Sequence, residues 1–190
     1  EWVPDVCGKP RVKCGACPNQ AFVPLSDDVI RDHLLGRRQR DGAAFTAGTY
    51  PLLSDETCWF IAIDFDKSAW MHDVSAVRET ARLQGVPVAV ERSRSGQGGH
   101  VWIFFSEPVP ARDARRLASL LVSWTQDRRP DIGFDSYDRF FPSQDTRPAG
   151  GFGNLIALPL QREPRDVGNS VFVDTSYRAF DDQWAYLSSI

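Results

Sequence analysis

The chain has 190 residues, 42% hydrophobic, 25% charged and 12% aromatic with six Trp, the size and make-up of one folded domain with a bulky core. No apolar run approaches the ~20 residues that cross a bilayer, and no basic, apolar leader opens the sequence. The expectation is a cytoplasmic protein without membrane contact, excised from a longer chain because it begins at Glu1.

Net charge is −3, whereas a small DNA-binding module usually carries a basic excess. Any strand-binding surface must therefore be local. Lys9, Arg11 and Lys13 form one candidate patch, and Arg37, Arg38 and Arg40 another.

The first stretch, residues 1–20, is irregular and Cys-rich. Cys7, Cys14 and Cys17 fall in a polar segment with Gly, Pro and Lys, too short to fold on apolar burial. A metal can supply what is missing. The Cys14-Gly15-Ala16-Cys17 pair resembles half of a zinc knuckle, where two thiolates meet one tetrahedral ion. The expectation is a structural Zn²⁺ held by Cys7, Cys14 and Cys17, with His33 or Cys58 as fourth ligand. Residues 21–190 then form the main domain.

Ser26 followed by Asp27 and Asp28 reads as an N-cap opening a helix through Val29, Ile30, His33 and Leu34, stopped at Gly36. Residues 36–56 read as loop, with an extended piece at Tyr50–Leu53. Cys58 to Asp66 is a strand, apolar up to Asp64, as suits a strand covered on both faces. A helix is expected from Asp73 to Leu83, with Val74, Val77 and Ala81 inward and Gly85 ending it. Strands Val86–Glu91 and His100–Phe105 are joined by a loop over residues 93–99. A long helix runs from Pro110 to Arg128, and short strands follow at Phe134–Phe141, Leu155–Pro159 and Val171–Val173. This order predicts an α+β domain on an antiparallel or mixed sheet, not a doubly wound one.

Three pieces carry chemistry. Asp64 and Asp66 lie at i and i+2 of a strand and so share a face. Two acids closing an apolar strand repel each other unless a cation intervenes, and their oxygens suit Mg²⁺ or Mn²⁺. The second piece is the run Ser93-Arg94-Ser95-Gly96-Gln97-Gly98-Gly99-His100. Its glycines let backbone N–H groups turn toward an anion, and its hydroxyls, Arg94 and His100 add donors. It is not a Walker loop, since no Gly-Lys-Ser/Thr follows. The third piece, Phe134 to Asp138, returns a third carboxylate, Asp135 as first choice and Asp138 as second. Together they are the parts of a two-metal phosphoryl-transfer site.

These residues resemble a known family. Asp64-Phe65-Asp66, Ser95 to His100 and Phe134-Asp135 resemble the three signature motifs of the archaeo-eukaryotic primase superfamily. Tyr50–Leu53, Glu91–Gly96, Phe141–Asp145 and Gly150–Leu160 narrow the resemblance to the primase-polymerase domain of TOTE conflict systems and of CRISPR-associated primase-polymerases, over essentially the whole chain.

The resemblance implies a catalytic core with a mixed or antiparallel sheet flanked by helices, an RRM-like palm. It implies a DNA primase-polymerase that joins dNTPs or NTPs to a 3′-hydroxyl on a single-stranded DNA template with its primer. In the full-length protein, helicase or CRISPR-associated domains would be partners. Asp64, Asp66 and Asp135 would hold two Mg²⁺ or Mn²⁺ ions. Ser93, Arg94, Ser95, Gly96, Gly98, Gly99 and His100 would hold the nucleotide, with Arg139 and Gln144 bordering it. Ser95 and His100 stand five apart rather than two, which matches the repair-polymerase branch of the superfamily. The competing readings are a non-catalytic zinc-knuckle module that binds nucleic acid, and a metal-dependent nuclease, for which a triphosphate loop has no use.

Overall fold

The computed structural model describes residues 24–147 and 151–190. The expected Cys-rich element with Cys7, Cys14 and Cys17, and its zinc, lie outside the described residues.

Helix α1 (Asp27–Leu35) is set by its ends. The Ser26 hydroxyl accepts from the Val29 N–H, and Gly36 closes the helix in the left-handed conformation that a side chain disfavours. Strand β1 (Gly48–Thr49) follows, then β2 (Thr57–Asp66), α2 (Trp70–Leu83), β3 (Ala89–Arg92), β4 (Gly98–Pro110) and α3 (Ala111–Arg128). The chain closes with β5 (Tyr137–Phe141), β6 (Ile156–Ala157), α4 (Arg162–Asp166), β7 (Val171–Phe172) and α5 (Gln183–Leu187). Among the described residues, no helix is long and apolar enough to cross a membrane.

Five strands form one antiparallel sheet in the order β5-β2-β4-β3-β7, and β1 pairs with β6 in a separate ribbon. Alternation of side chains gives the sheet two working faces. Ile61, Ile63 and Phe65 of β2, with Val101 and Ile103 of β4, pack against Val74, Val77 and Ala81 of α2 and against Ala114, Ala118 and Leu121 of α3. On the other face Ala62, Ala89, Trp102, Phe141 and Phe172 form a second cluster with Ile156 of the ribbon. The mixed α+β architecture with an antiparallel sheet agrees with the sequence reading.

Several boundaries differ from expectation. Helix α2 begins at Trp70, and β5 begins only at Tyr137, because Phe134 adopts a left-handed turn conformation with φ 52°. Gly98 and Gly99 belong to β4 rather than to the preceding loop. The reason is packing: a Cβ on Gly98 would lie 2.5 Å from the Phe65 carbonyl oxygen, and one on Gly99 would lie 2.5 Å from the Trp70 ring.

His33 and Cys58 correct the expected zinc set. His33 is buried on α1, its Nε2 facing the Pro159 carbonyl at 2.8 Å and its Nδ1 facing the Ala47 N–H at 3.0 Å. Both ring nitrogens are thus occupied in tying α1 to one end of the β1–β6 ribbon, where the chain enters β1 and leaves β6. Cys58 is fully buried in the helix-side core, where burial pushes its thiol up to about 11 and its side chain packs among apolar residues. Neither is available as the fourth ligand.

Candidate active site

The polar half of the second sheet face is built by register. Asp64 of β2 stands opposite His100 of β4 on one side and Arg139 of β5 on the other, and His100 stands opposite Glu91 of β3. A row Arg139–Asp64–His100–Glu91 therefore crosses four strands. Asp66, two residues along β2, shares the face of Asp64 and pairs with Gly98.

The third acid reaches this face through a bulge. Asp64 pairs with Arg139 and the next residue, Phe65, pairs with Tyr137, so Asp138 is an extra residue on β5. In unbroken register Asp138 would oppose Phe65 and point at the helices. The bulge instead brings one of its oxygens within 4.8 Å of oxygens of Asp64 and Asp66. Asp135 is elsewhere: it is exposed in the turn before β5, with its carboxylate beside Gly133. Its backbone carbonyl accepts from Lys67 Nζ at 2.9 Å. Of the two candidates for third carboxylate, the structure groups Asp138, the second choice, with the pair on β2.

Three contacts hold the turn that presents Asp138. The Asp66 N–H donates to the Ser136 carbonyl at 2.7 Å, and Lys67 grips Asp135. The Ser136 hydroxyl donates to the buried Asp73 carboxylate of α2 at 2.5 Å. Sequence reading missed Asp73 and Ser136, since each is an ordinary polar residue until the turn folds onto the helix.

The electrostatics suit a cation. Partial burial, then the charges of Asp64 and Asp138, raise Asp66 above the usual carboxylate range. Three hard oxygen donors, with oxygens within 4.8 Å of one another, fit Mg²⁺ or Mn²⁺. Arg139 Nε donates to Asp138 at 2.5 Å and keeps most of its side chain in solvent, 55% exposed. Burial opposes a charge on His100, but Glu91 and Asp64 on either side outweigh it and push the imidazole up to about 10. Its Nε2 lies 3.4 Å from Asp64 and its Nδ1 2.9 Å from Glu91.

The remaining predicted residues divide. Ser93 to Gly96 form the tight turn between β3 and β4, next to the strand ends that carry Asp66 and Gly98. Within it the Gly96 N–H donates to Ser93 O at 2.9 Å and the Gln97 N–H to the Ser95 hydroxyl at 3.1 Å, while the two serine hydroxyls meet at 3.1 Å. These N–H groups are spent on the turn itself, and Ser95, whose hydroxyl accepts one of them, is exposed. Arg94 donates to the Thr46 hydroxyl just before the ribbon. Gln144 lies past the far end of β5 from Asp138 and donates to the Thr146 carbonyl at 2.8 Å. Glu91 was not singled out as a site residue; the signal was an acid closing the apolar run Val88-Ala89-Val90, which the β3–β4 hairpin sets opposite His100.

The family model described as the archaeo-eukaryotic primase domain of TOTE conflict systems matches residues 1–190. The chain belongs to that family. The TOTE primase domain has no match among curated proteins. Among solved structures it is similar to the polymerase domain of ligase D from Mycobacterium tuberculosis in complex with DNA, at 20% identity and a TM-score of 0.34. That match covers 50% of this chain and 32% of the other, about a third of its length.

Proposed function

We propose that this TOTE primase domain is a DNA primase-polymerase that extends and initiates strands on single-stranded DNA by nucleotidyl transfer from dNTPs or NTPs. The observation that carries the reading is the convergence of Asp64, Asp66 and Asp138 on one sheet face beside His100, in a chain whose full length matches the primase family.

In the reaction the 3′-oxygen bonds to the α-phosphorus of the incoming nucleotide. The bond to the bridging oxygen breaks, pyrophosphate leaves with the electron pair, and the hydroxyl proton passes to water. Divalent cations, when bound, lower the pKa of the attacking hydroxyl and neutralise charge on the triphosphate. Asp64, Asp66 and Asp138 would hold them. His100, charged under neutral conditions, donates from the middle of the row to a phosphate oxygen. Arg139 can swing from Asp138 to the same anion, since its side chain is solvent-exposed. The Ser95 hydroxyl and Arg94, on the turn next to the Asp66 end of the sheet, complete the donors to the triphosphate tail. Helicase or CRISPR-associated domains joined to this one would supply unwound template.

The first test is thermal. A dNTP should raise the melting temperature only when Mn²⁺ is present, by an amount that grows with nucleotide concentration as mass action requires. An equal rise without the metal would separate nucleotide binding from the carboxylates and defeat the reading.

A further inference from the structure

One buried charge in the row has no part in that chemistry. Glu91 is 2% exposed and follows Ala89 and Val90 in the interior of the sheet. Removing a carboxylate from water is costly unless it is paired and hydrogen-bonded, and an apolar residue of similar volume packs as well or better. Stability alone therefore gives little reason for an acid here. What Glu91 does with its charge is specific: a single oxygen, Oε2, accepts from Trp102 Nε1 at 3.0 Å and faces His100 Nδ1 at 2.9 Å.

The two partners restrict each other. The Trp102 indole is only a donor, and a carboxylate only an acceptor, so His100 must carry a proton on Nδ1, whatever Nε2 carries, to satisfy the same oxygen. Trp102 is 2% exposed and stands edge-on to the imidazole, with ring centres 6.0 Å apart. Rotating the carboxylate would break both bonds, and rotating the imidazole would break its bond to Oε2. Nε2 is left facing Asp64, toward the carboxylate group.

From this geometry we infer that Glu91, braced by Trp102, is the positioning residue that locks His100 with Nε2 presented to the phosphate site. The inference rests on the nucleotidyl-transfer reading for what His100 then does. Glu91 does not touch the nucleotide; it removes the reorientation that a free imidazole would undergo before donating.

The experiment compares wild type with Glu91→Leu and Glu91→Gln. The protein has three histidines, few enough to assign their imidazole nitrogens by ¹H–¹⁵N correlation. The lock predicts a protonated, hydrogen-bonded Nδ1 on His100 in wild type and in Glu91→Gln, whose amide oxygen can accept from both partners. It predicts loss of that signature in Glu91→Leu. In primer extension, Glu91→Leu should raise the nucleotide KM roughly 10- to 100-fold, the usual cost of an outer-shell partner. The kcat should fall less, and Glu91→Gln should recover most of the KM. An unchanged His100 signature, or a wild-type KM in Glu91→Leu, overturns the inference. An inactive wild type would defeat the nucleotidyl-transfer reading instead, while the imidazole spectrum would still decide whether Glu91 locks the ring.

Discussion

His100 and Asp64 stand opposite each other on neighbouring antiparallel strands, with Nε2 3.4 Å from Oδ1. Residues 36 positions apart in the chain thus meet because β2 and β4 pair in that register. In the proposed function the pair would join the carboxylates that hold cations to the donors that hold the triphosphate. Asp64 belongs to the carboxylates that would hold Mg²⁺ or Mn²⁺, and His100 carries positive charge one strand away.

Removing one acid should abolish chemistry without harming the fold. Asp66 is held above the usual carboxylate range by partial burial and by Asp64 and Asp138, so Asp66→Asn relieves repulsion. Primer extension should fall below detection. The melting temperature should stay level or rise by about 2–4 °C, the shift that ~1 kcal/mol makes in a domain of this size. Calorimetry showing a marked fall would mean that the acids serve stability rather than metal binding.

Asp138 and Asp135 are separable by a matched pair of variants. Asp138→Asn should lose extension as Asp66→Asn does, because the β5 bulge places it with the other two acids. Asp135→Asn keeps the backbone carbonyl that Lys67 binds, should retain extension activity, and should change stability by no more than about 0.5 kcal/mol, as surface changes usually do. Reversal of that order in an extension assay would move the site to Asp135.

Gly98 offers a steric test of the same edge. A Cβ there would sit 2.5 Å from the Phe65 carbonyl oxygen and 2.8 Å from an Asp66 carboxylate oxygen. Gly98→Ala should therefore cost roughly 1–3 kcal/mol as an overpacked site and displace Asp66, weakening Mn²⁺ binding. Unaltered stability and Mn²⁺ affinity, read by denaturant titration and calorimetry, would contradict the strand assignment of this glycine.

His33 predicts a pH dependence. Burial lowers its pKa and outweighs the Pro159 carbonyl, which accepts from the ring and favours the charged form. Above pH ~6.5 folded and unfolded chains are alike neutral at this residue, so it contributes no slope. As pH falls below that value the unfolded chain takes up a proton that the folded one resists, and stability drops. His33→Leu should cost about 1–3 kcal/mol at pH 7 through the unpaired buried groups it leaves. It should also show a shallower loss between pH 7 and 5 than wild type. Parallel stability curves would remove His33 from the account.

Much of the fold is legible where side-chain pattern alone decides. The Ser26 and Gly36 caps bound α1, and the apolar run closing on Asp64 and Asp66 marks β2. The signature stretches also sufficed for the family. What was not legible depends on partners distant in sequence. Asp138 reaches the site through a bulge that only pairing with β2 reveals, and Gly98 and Gly99 look like loop until Phe65 and Trp70 show why no side chain fits. Glu91 is one acid among many until the hairpin sets it against His100 and Trp102. The ribbon strands and helices α4 and α5 span two and five residues, too few for periodicity to register.

The most direct measurement is primer synthesis on single-stranded DNA with labelled nucleotides and Mn²⁺, comparing wild type with the Asp64→Asn/Asp66→Asn double variant. The account predicts template-dependent products from wild type and none from the variant at equal folded concentration. Products from both, or none from wild type even when a primer is supplied, would contradict it.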